Sequence, residues 1–161
     1  MILPRKPILT LLLILGVHHA SVVPCRAAAV PSKKPDNIIL VMPDDDGYGD
    51  YAWFGSPIMR TPSVDAFKKQ SLLFTQFHVS PNCAPTRAAL LSGRHEFKCG
   101  VTHTIYERER LSLDTYTLPQ MLKTAGYTTG IFGKWHLGDE TGYLPAQRAF
   151  DEVYMHGGGI G

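Results

Sequence analysis

The stretch Asn37-Ile38-Ile39-Leu40-Val41-Met42 constrains the fold more than any other part of the chain. It is apolar from Ile38 onward, rich in β-branched residues, and closed at once by Pro43 and Asp44. A run with no polar position at every second residue has no wet face. It reads as a strand buried on both sides, as at the centre of a parallel sheet, which must then be covered by helices. The following sequence supplies them. Thr61-Pro62 opens a helix with a capping hydroxyl and a proline at the first helical position. Leu72 to Val79 reads as a second strand, and a further helix begins near Pro85 and ends before Gly93. Thr117 and Pro119 start another, with Leu118, Met121, Leu122 and Ala125 on one face and Gly126 at its end. Tyr127 to Phe132 is then a strand, and residues 133–138 a loop. Alternating strands and helices define an α/β class.

The first strand is followed directly by Asp44, Asp45 and Asp46. Open α/β sheets place their sites at the carboxyl ends of central strands. Three consecutive carboxylates repel one another unless a cation neutralises them, and hard divalent ions favour such oxygen donors. A solvated Asp/Gly turn is the competing reading, since the run continues Gly47-Tyr48-Gly49-Asp50.

The amino-terminal segment has another character. Arg5 and Lys6 precede an apolar stretch from Ile8 to Val17, and small residues follow, ending in Ala27-Ala28-Ala29. This is the three-part layout of a secretory signal peptide, with cleavage placed after Ala29 and Ala20 as a second candidate. The apolar stretch falls short of the roughly 20 residues a spanning helix needs, so an uncleaved anchor is the weaker alternative. Residues 1–29 are thus read as signal peptide, 30–36 as a polar lead-in and 37–161 as the working domain. Removing Arg5, Lys6 and Arg26 from the 16 basic residues leaves 13 against 14 acidic ones, a net of −1. The basic balance belongs to the leader and gives no reason to expect nucleic-acid binding. Export would permit a disulfide between Cys83 and Cys99. The carboxyl end, from Met155 to Gly161, is glycine-rich and reads as an interruption of a domain.

Cys83 stands just ahead of the helix that Pro85 initiates. Helix starts present free N–H groups and a positive dipole end, which attract anions and lower a thiol pKa. Arg87, one turn in, carries a fork of donors suited to an oxyanion. A lone cysteine is more often a small buried hydrophobe. Here a reactive group, an anion-binding turn and an arginine converge.

The run Cys83-Ala84-Pro85-Thr86-Arg87, followed by Leu90-Leu91-Ser92-Gly93-Arg94, resembles the signature of the sulfatase family. Pro35 to Leu40 with Asp44-Asp45 resembles that family's first strand and its paired calcium-binding aspartates. Gly126-Tyr127 and Gly133-Lys134-Trp135-His136-Leu137-Gly138 resemble its second signature, and Ala149-Phe150-Asp151 a Gly-Phe-Asp block beyond it. Several ordered motifs over residues 35–157 are far more specific than one short match. The resemblance implies an alkaline-phosphatase-like fold: a mixed, largely parallel sheet sandwiched by helices, incomplete in this chain. The resemblance implies a chain of several hundred residues, whose later part supplies further metal and substrate groups. Asp46 departs from the usual apolar residue and is expected to face solvent or to stand behind the metal ligands. Ala149 replaces a common Gly, with little effect expected.

The resemblance also implies a chemistry. Cys83 becomes formylglycine through a maturation enzyme, and the aldehyde hydrates to a geminal diol. One hydroxyl, activated at a single Ca2+ held by Asp44, Asp45 and the modified Cys83, attacks the sulfur of a sulfate ester. His136 takes the proton of the second hydroxyl and sulfate leaves, while Arg87 and Lys134 stabilise charge. Without the motif, a histidine beside Trp135 reads as a structural donor and Lys134 as a surface residue. His103 and His156 are candidates to line the substrate pocket. The expected substrate is a sulfated carbohydrate or an aryl sulfate. The expected location is periplasmic or extracellular, or lysosomal or secreted in a eukaryote. Two alternatives stand beside this. A phosphate or phosphonate ester hydrolase of the same superfamily would use a related site. A truncated fragment would be inactive, its buried strands lacking partners.

Overall fold

A computed structural model describes residues 36–158. The signal-peptide reading of residues 1–29, the lead-in as far as Pro35, and Gly159–Gly161 lie outside the described residues. The chain divides after Leu40 into two units. Of the first, residues 36–40 are described. They have no regular structure, and Ile38, Ile39 and Leu40 are exposed. In the second unit, residues 41–43 are also irregular and Val41 is exposed. The expected strand over 37–42 is therefore not formed. Nor is the strand expected over 72–79, where Leu72, Leu73, Phe74, Phe77 and Val79 are all exposed. A strand is stabilised by its ladder, and neither segment has a ladder partner among the described residues.

Where local signals decide, the expectations hold. Helix α1 covers Pro62–Lys68 behind Thr61, whose hydroxyl donates to Asp65 Oδ1 at 3.0 Å and accepts from the Ala52 N–H at 3.0 Å. Helix α2 covers Cys83–Ser92 and ends at Gly93 with φ 64°. It starts two residues earlier than Pro85 suggests, because Asn82 takes the cap position and Pro85 falls in the first turn, where its missing N–H costs nothing. Helix α3 covers Leu118–Thr124. Gln120 Oε1 reaches back to accept from the Thr117 N–H at 2.7 Å and the Thr117 hydroxyl at 3.0 Å. Its apolar stripe is only partly covered: Leu118 and Leu122 are half-buried, while Met121 and Ala125 are exposed.

Two strands, β1 (Gly130–Lys134) and β2 (Glu152–His156), pair in parallel from Gly130 opposite Glu152 to Lys134 opposite His156. Gly133 and Lys134 were expected in the loop after the strand. They belong to it, because the β2 ladder extends through them. Parallel pairing demands a crossover of a dozen or more residues, and residues 135–151 provide it. The core lies between α2 and this crossover. Ala84 and Ala88 of α2 pack with Cys99, Val101, Leu111, Trp135 and Leu137, flanked by Leu91, Ile131, Phe150 and Met155. The Trp135 indole N–H donates to the Gly138 carbonyl at 2.9 Å and the Tyr143 carbonyl at 3.1 Å. Gly138 has φ 101°, and a Cβ there would lie 2.7 Å from that of Tyr143, so only glycine fits. The Cys83 and Cys99 thiols are both free. Cys99 donates to Ser92 Oγ at 3.1 Å, so the permitted disulfide is not formed.

Two polar anchors, one of them buried, hold the crossover. The Arg148 guanidinium, 4% exposed, donates to the carbonyls of Ser112, Leu113 and Thr115. Asp151 Oδ2 accepts from the Thr129 N–H at 2.9 Å and hydroxyl at 3.1 Å, and Oδ1 pairs with Lys123 at 2.5 Å. Asp151 thereby joins the end of α3, the entry to β1 and the entry to β2. Lys123 holds its pKa below the usual carboxylate value, aided by the bonds from Thr129.

Two outcomes are expected. Asp151 is depressed in the folded state, so its contribution is complete above the unfolded pKa of 3.8 and is lost as pH falls through the lower folded value. Urea melts across that range should show a shallower acid-side loss of stability in Asp151→Asn than in the parent. Ala149 closes the 3-10 helix Pro145–Arg148 with φ 74°, a left-handed conformation that disfavours a Cβ. The alanine therefore carries strain that a glycine would not. Ala149→Gly should raise stability by about 1 kcal/mol in the same melts, the left-handed cost of roughly 1–2 kcal/mol less the entropy glycine adds to the unfolded chain.

Candidate active site

Residues far apart in sequence meet around Asp44. The Lys134 ammonium, at the end of β1, lies 2.5 Å from Asp44 Oδ2. The Arg87 guanidinium, one turn into α2, donates from one nitrogen to Asp44 Oδ1 at 3.2 Å and from the other to the Lys134 carbonyl at 2.6 Å. Both cations are nearly buried: their side chains are 10% and 8% exposed, against 38% for Asp44. Two buried cations need a counter-ion. The bond from Lys134 pulls the Asp44 pKa below the usual carboxylate range, with Arg87 assisting against the opposing effect of burial. The acidic loop, α2 and β1 are thus fastened by one carboxylate.

Cys83 is the first residue of α2, half-buried, one turn ahead of Arg87 on the same helix. Ala84 and Pro85 behind it are buried, so the core fixes the turn that presents it. Asp45 and Asp46 are exposed, and Asp45 has φ 61°. Asp46 faces solvent as expected and accepts from the Tyr51 hydroxyl at 2.8 Å, which raises the Tyr51 pKa.

Among the described residues, no group of three or more His, Cys, Asp and Glu side chains is arranged to hold a metal ion. Asp44 and Asp45 are hard oxygen donors of the kind calcium takes, and they fit it in chemistry. They are two of the several oxygens such an ion requires, and Asp44 would share its charge between the ion and the two cations.

His136 lies two residues beyond Lys134 and is 1% exposed. Its backbone is left-handed, φ 60°, and its N–H donates to the Gly157 carbonyl at 3.0 Å. Its Nε2 is 2.9 Å from the Thr104 carbonyl and 3.2 Å from Glu109 Oε2, while its buried Nδ1 has no partner among the described residues. Sequence reasoning named His136 but missed Thr104 and Glu109. Glu109 sits between Arg108 and Arg110, and a charged run in a loop gives no signal that singles out its middle member. His103 Nδ1 lies 3.4 Å from the Thr104 hydroxyl, and His156 is exposed at the end of β2.

An α/β scaffold sets an arginine and a lysine on one aspartate, with a helix-start cysteine one turn before the arginine and a buried histidine two residues beyond the lysine. The family profile named Sulfatase matches residues 36–160. Bovine (Bos taurus) arylsulfatase A is 42% identical over 130 residues, covering 77% of this chain and 26% of its own length. Dog (Canis lupus familiaris) N-acetylgalactosamine-6-sulfatase is 37% identical over 143 residues, covering 80% and 26%. Among solved structures, Ps i-CgsB in complex with k-i-k-neocarrahexaose aligns with a TM-score of 0.64 at 34% identity, over 72% of this chain and 27% of that one. The chain belongs to the sulfatase family. It spans about a quarter of the length of the relatives it matches.

Proposed function

We propose that the complete protein hydrolyses sulfate esters through a formylglycine made from Cys83. The observation that carries this reading is the convergence at the start of α2. Cys83 is held on a buried turn, and Arg87 on that helix is locked to Asp44 and to the backbone of Lys134. Family membership supplies the reaction class, and the placement of these residues suits it.

In the proposed course, one hydroxyl of the hydrated aldehyde forms a bond to the ester sulfur, and the bond from sulfur to the ester oxygen breaks. The alcohol leaves with a proton. His136 then takes the proton of the second hydroxyl at Nδ1, its one unpartnered ring nitrogen. The bond between carbon and the sulfated oxygen breaks, sulfate departs, and the aldehyde is restored, ready for water to add again. Arg87 and Lys134 orient the sulfate and balance its charge. A calcium ion, for which Asp44 and Asp45 are proposed ligands with the modified Cys83, would add positive charge beside the sulfate oxygens. A thiol could not follow this course, because it has no second hydroxyl.

Relatives whose names include N-acetylgalactosamine-6-sulfatase, and a neighbour in complex with k-i-k-neocarrahexaose, support a sulfated carbohydrate as substrate. Export through a cleaved leader at residues 1–29 is part of the proposal, and a maturation enzyme is the required partner. Among the described residues no helix is long and apolar enough to cross a membrane. The 161-residue chain alone is proposed to be inactive. Its Ile38–Val41 and Leu72–Val79 segments expose apolar side chains that no element among the described residues covers.

The test is a panel of matched sulfate, phosphate and phosphonate esters with the complete, matured protein. Sulfate esters should be turned over at least tenfold faster than the others. Preference for phosphate or phosphonate without sulfate-ester turnover would overturn the proposal.

A further inference from the structure

We infer that Glu109 is the positioning residue for His136, fixing which ring nitrogen is free to take a proton. The inference rests on the proposed role of His136 as the base. Carbonyl and carboxylate oxygens only accept hydrogen bonds. Nε2 faces one of each, the Thr104 carbonyl at 2.9 Å and Glu109 Oε2 at 3.2 Å. Nε2 must therefore carry a hydrogen in both protonation states. The neutral ring then has its lone pair on Nδ1, the buried atom without a partner. A buried acceptor left unpaired is costly and invites a functional explanation. When Nδ1 takes a proton, the positive charge of the ring lies against the Glu109 carboxylate, whose side chain is only 16% exposed.

The surroundings keep Glu109 available for this task. Its flanking arginines are engaged elsewhere. Arg108 donates to Thr102 Oγ1 at 3.2 Å, and Arg110 pairs with Glu140 and, more loosely, with Glu107. The Arg108 carbonyl accepts from the N–H groups of Thr102 and His103, closing the loop that also presents the Thr104 carbonyl. Leu111, two residues on, donates its N–H to the Leu137 carbonyl at 3.2 Å, which ties the loop to the neighbour of His136. With the left-handed backbone at His136, these bonds fix the ring from both ends.

The experiment is steady-state kinetics on an aryl sulfate with the complete, matured protein, using Glu109→Ala, Glu109→Gln, His136→Ala and the double variant with both alanines. Glu109→Ala should lower kcat about 10–100-fold, the scale seen when a metal-bound histidine loses the partner that orients it, with KM changed less than about twofold. Glu109→Gln keeps an oxygen acceptor without the charge and should recover part of that loss. The double variant should be no slower than His136→Ala alone. If His136→Ala abolishes turnover while Glu109→Ala and Glu109→Gln keep the parent kcat, the positioning role is overturned and the base stands. A double variant slower than His136→Ala by the full Glu109→Ala factor would also overturn it. If His136→Ala itself keeps the parent kcat, the base reading fails first. Should Glu109→Ala not fold, Glu109→Gln decides: a fall in kcat at constant KM supports the role, and an unchanged kcat overturns it.

Discussion

Arg87 and Lys134 both direct their charge at Asp44, and the rest of the site depends on that meeting. Each cation is almost removed from water, so each requires a nearby anion, and one carboxylate serves both. The same contact decides geometry. Arg87 holds α2, and with it the turn bearing Cys83, while its second nitrogen grips the backbone at the end of β1. The crossover that begins there carries Trp135 and Leu137 into the core and places His136 between them. Losing the Asp44 carboxylate would leave two nearly buried positive charges without the anion they share. This is why the acidic loop matters even before any metal is considered.

Backbone strain falls on the same residues. Asp45 and His136 both adopt left-handed conformations that cost a non-glycine residue free energy. Neither is a glycine, so each position carries a side chain at that cost. Gly138, two residues beyond His136, shows the complementary solution. There the chain must pass Tyr143 too closely for any side chain, and glycine is used.

The helices were legible in the sequence because their signals are local. Thr61 before Pro62, and Thr117 with Gln120, act within one turn, and Gly93 closes α2 in the left-handed geometry that glycine permits. Strands were less legible because a strand is stabilised by a partner. Ile38 to Val41 and Leu72 to Val79 have the composition of buried strands, yet they lie exposed and unpaired among the described residues. Conversely, Gly133 and Lys134 extend β1 because β2 offers them a ladder, which no local pattern announces. Site residues in compact motifs, Cys83 with Arg87 and Lys134 with His136, could be named because those motifs resemble the family's signatures. Glu109 could not, since its role exists only through a contact made across 27 residues. Ala149 was read as a harmless replacement, and its φ of 74° shows a cost instead.

Everything proposed about the reaction turns on what Cys83 becomes. The decisive measurement is mass spectrometry of the peptide containing Cys83, from the complete protein expressed with its native maturation machinery. The account predicts that the thiol is replaced by an aldehyde, with the matching loss of mass and reactivity toward a hydrazide. An intact cysteine thiol in a preparation that still hydrolyses sulfate esters would contradict it.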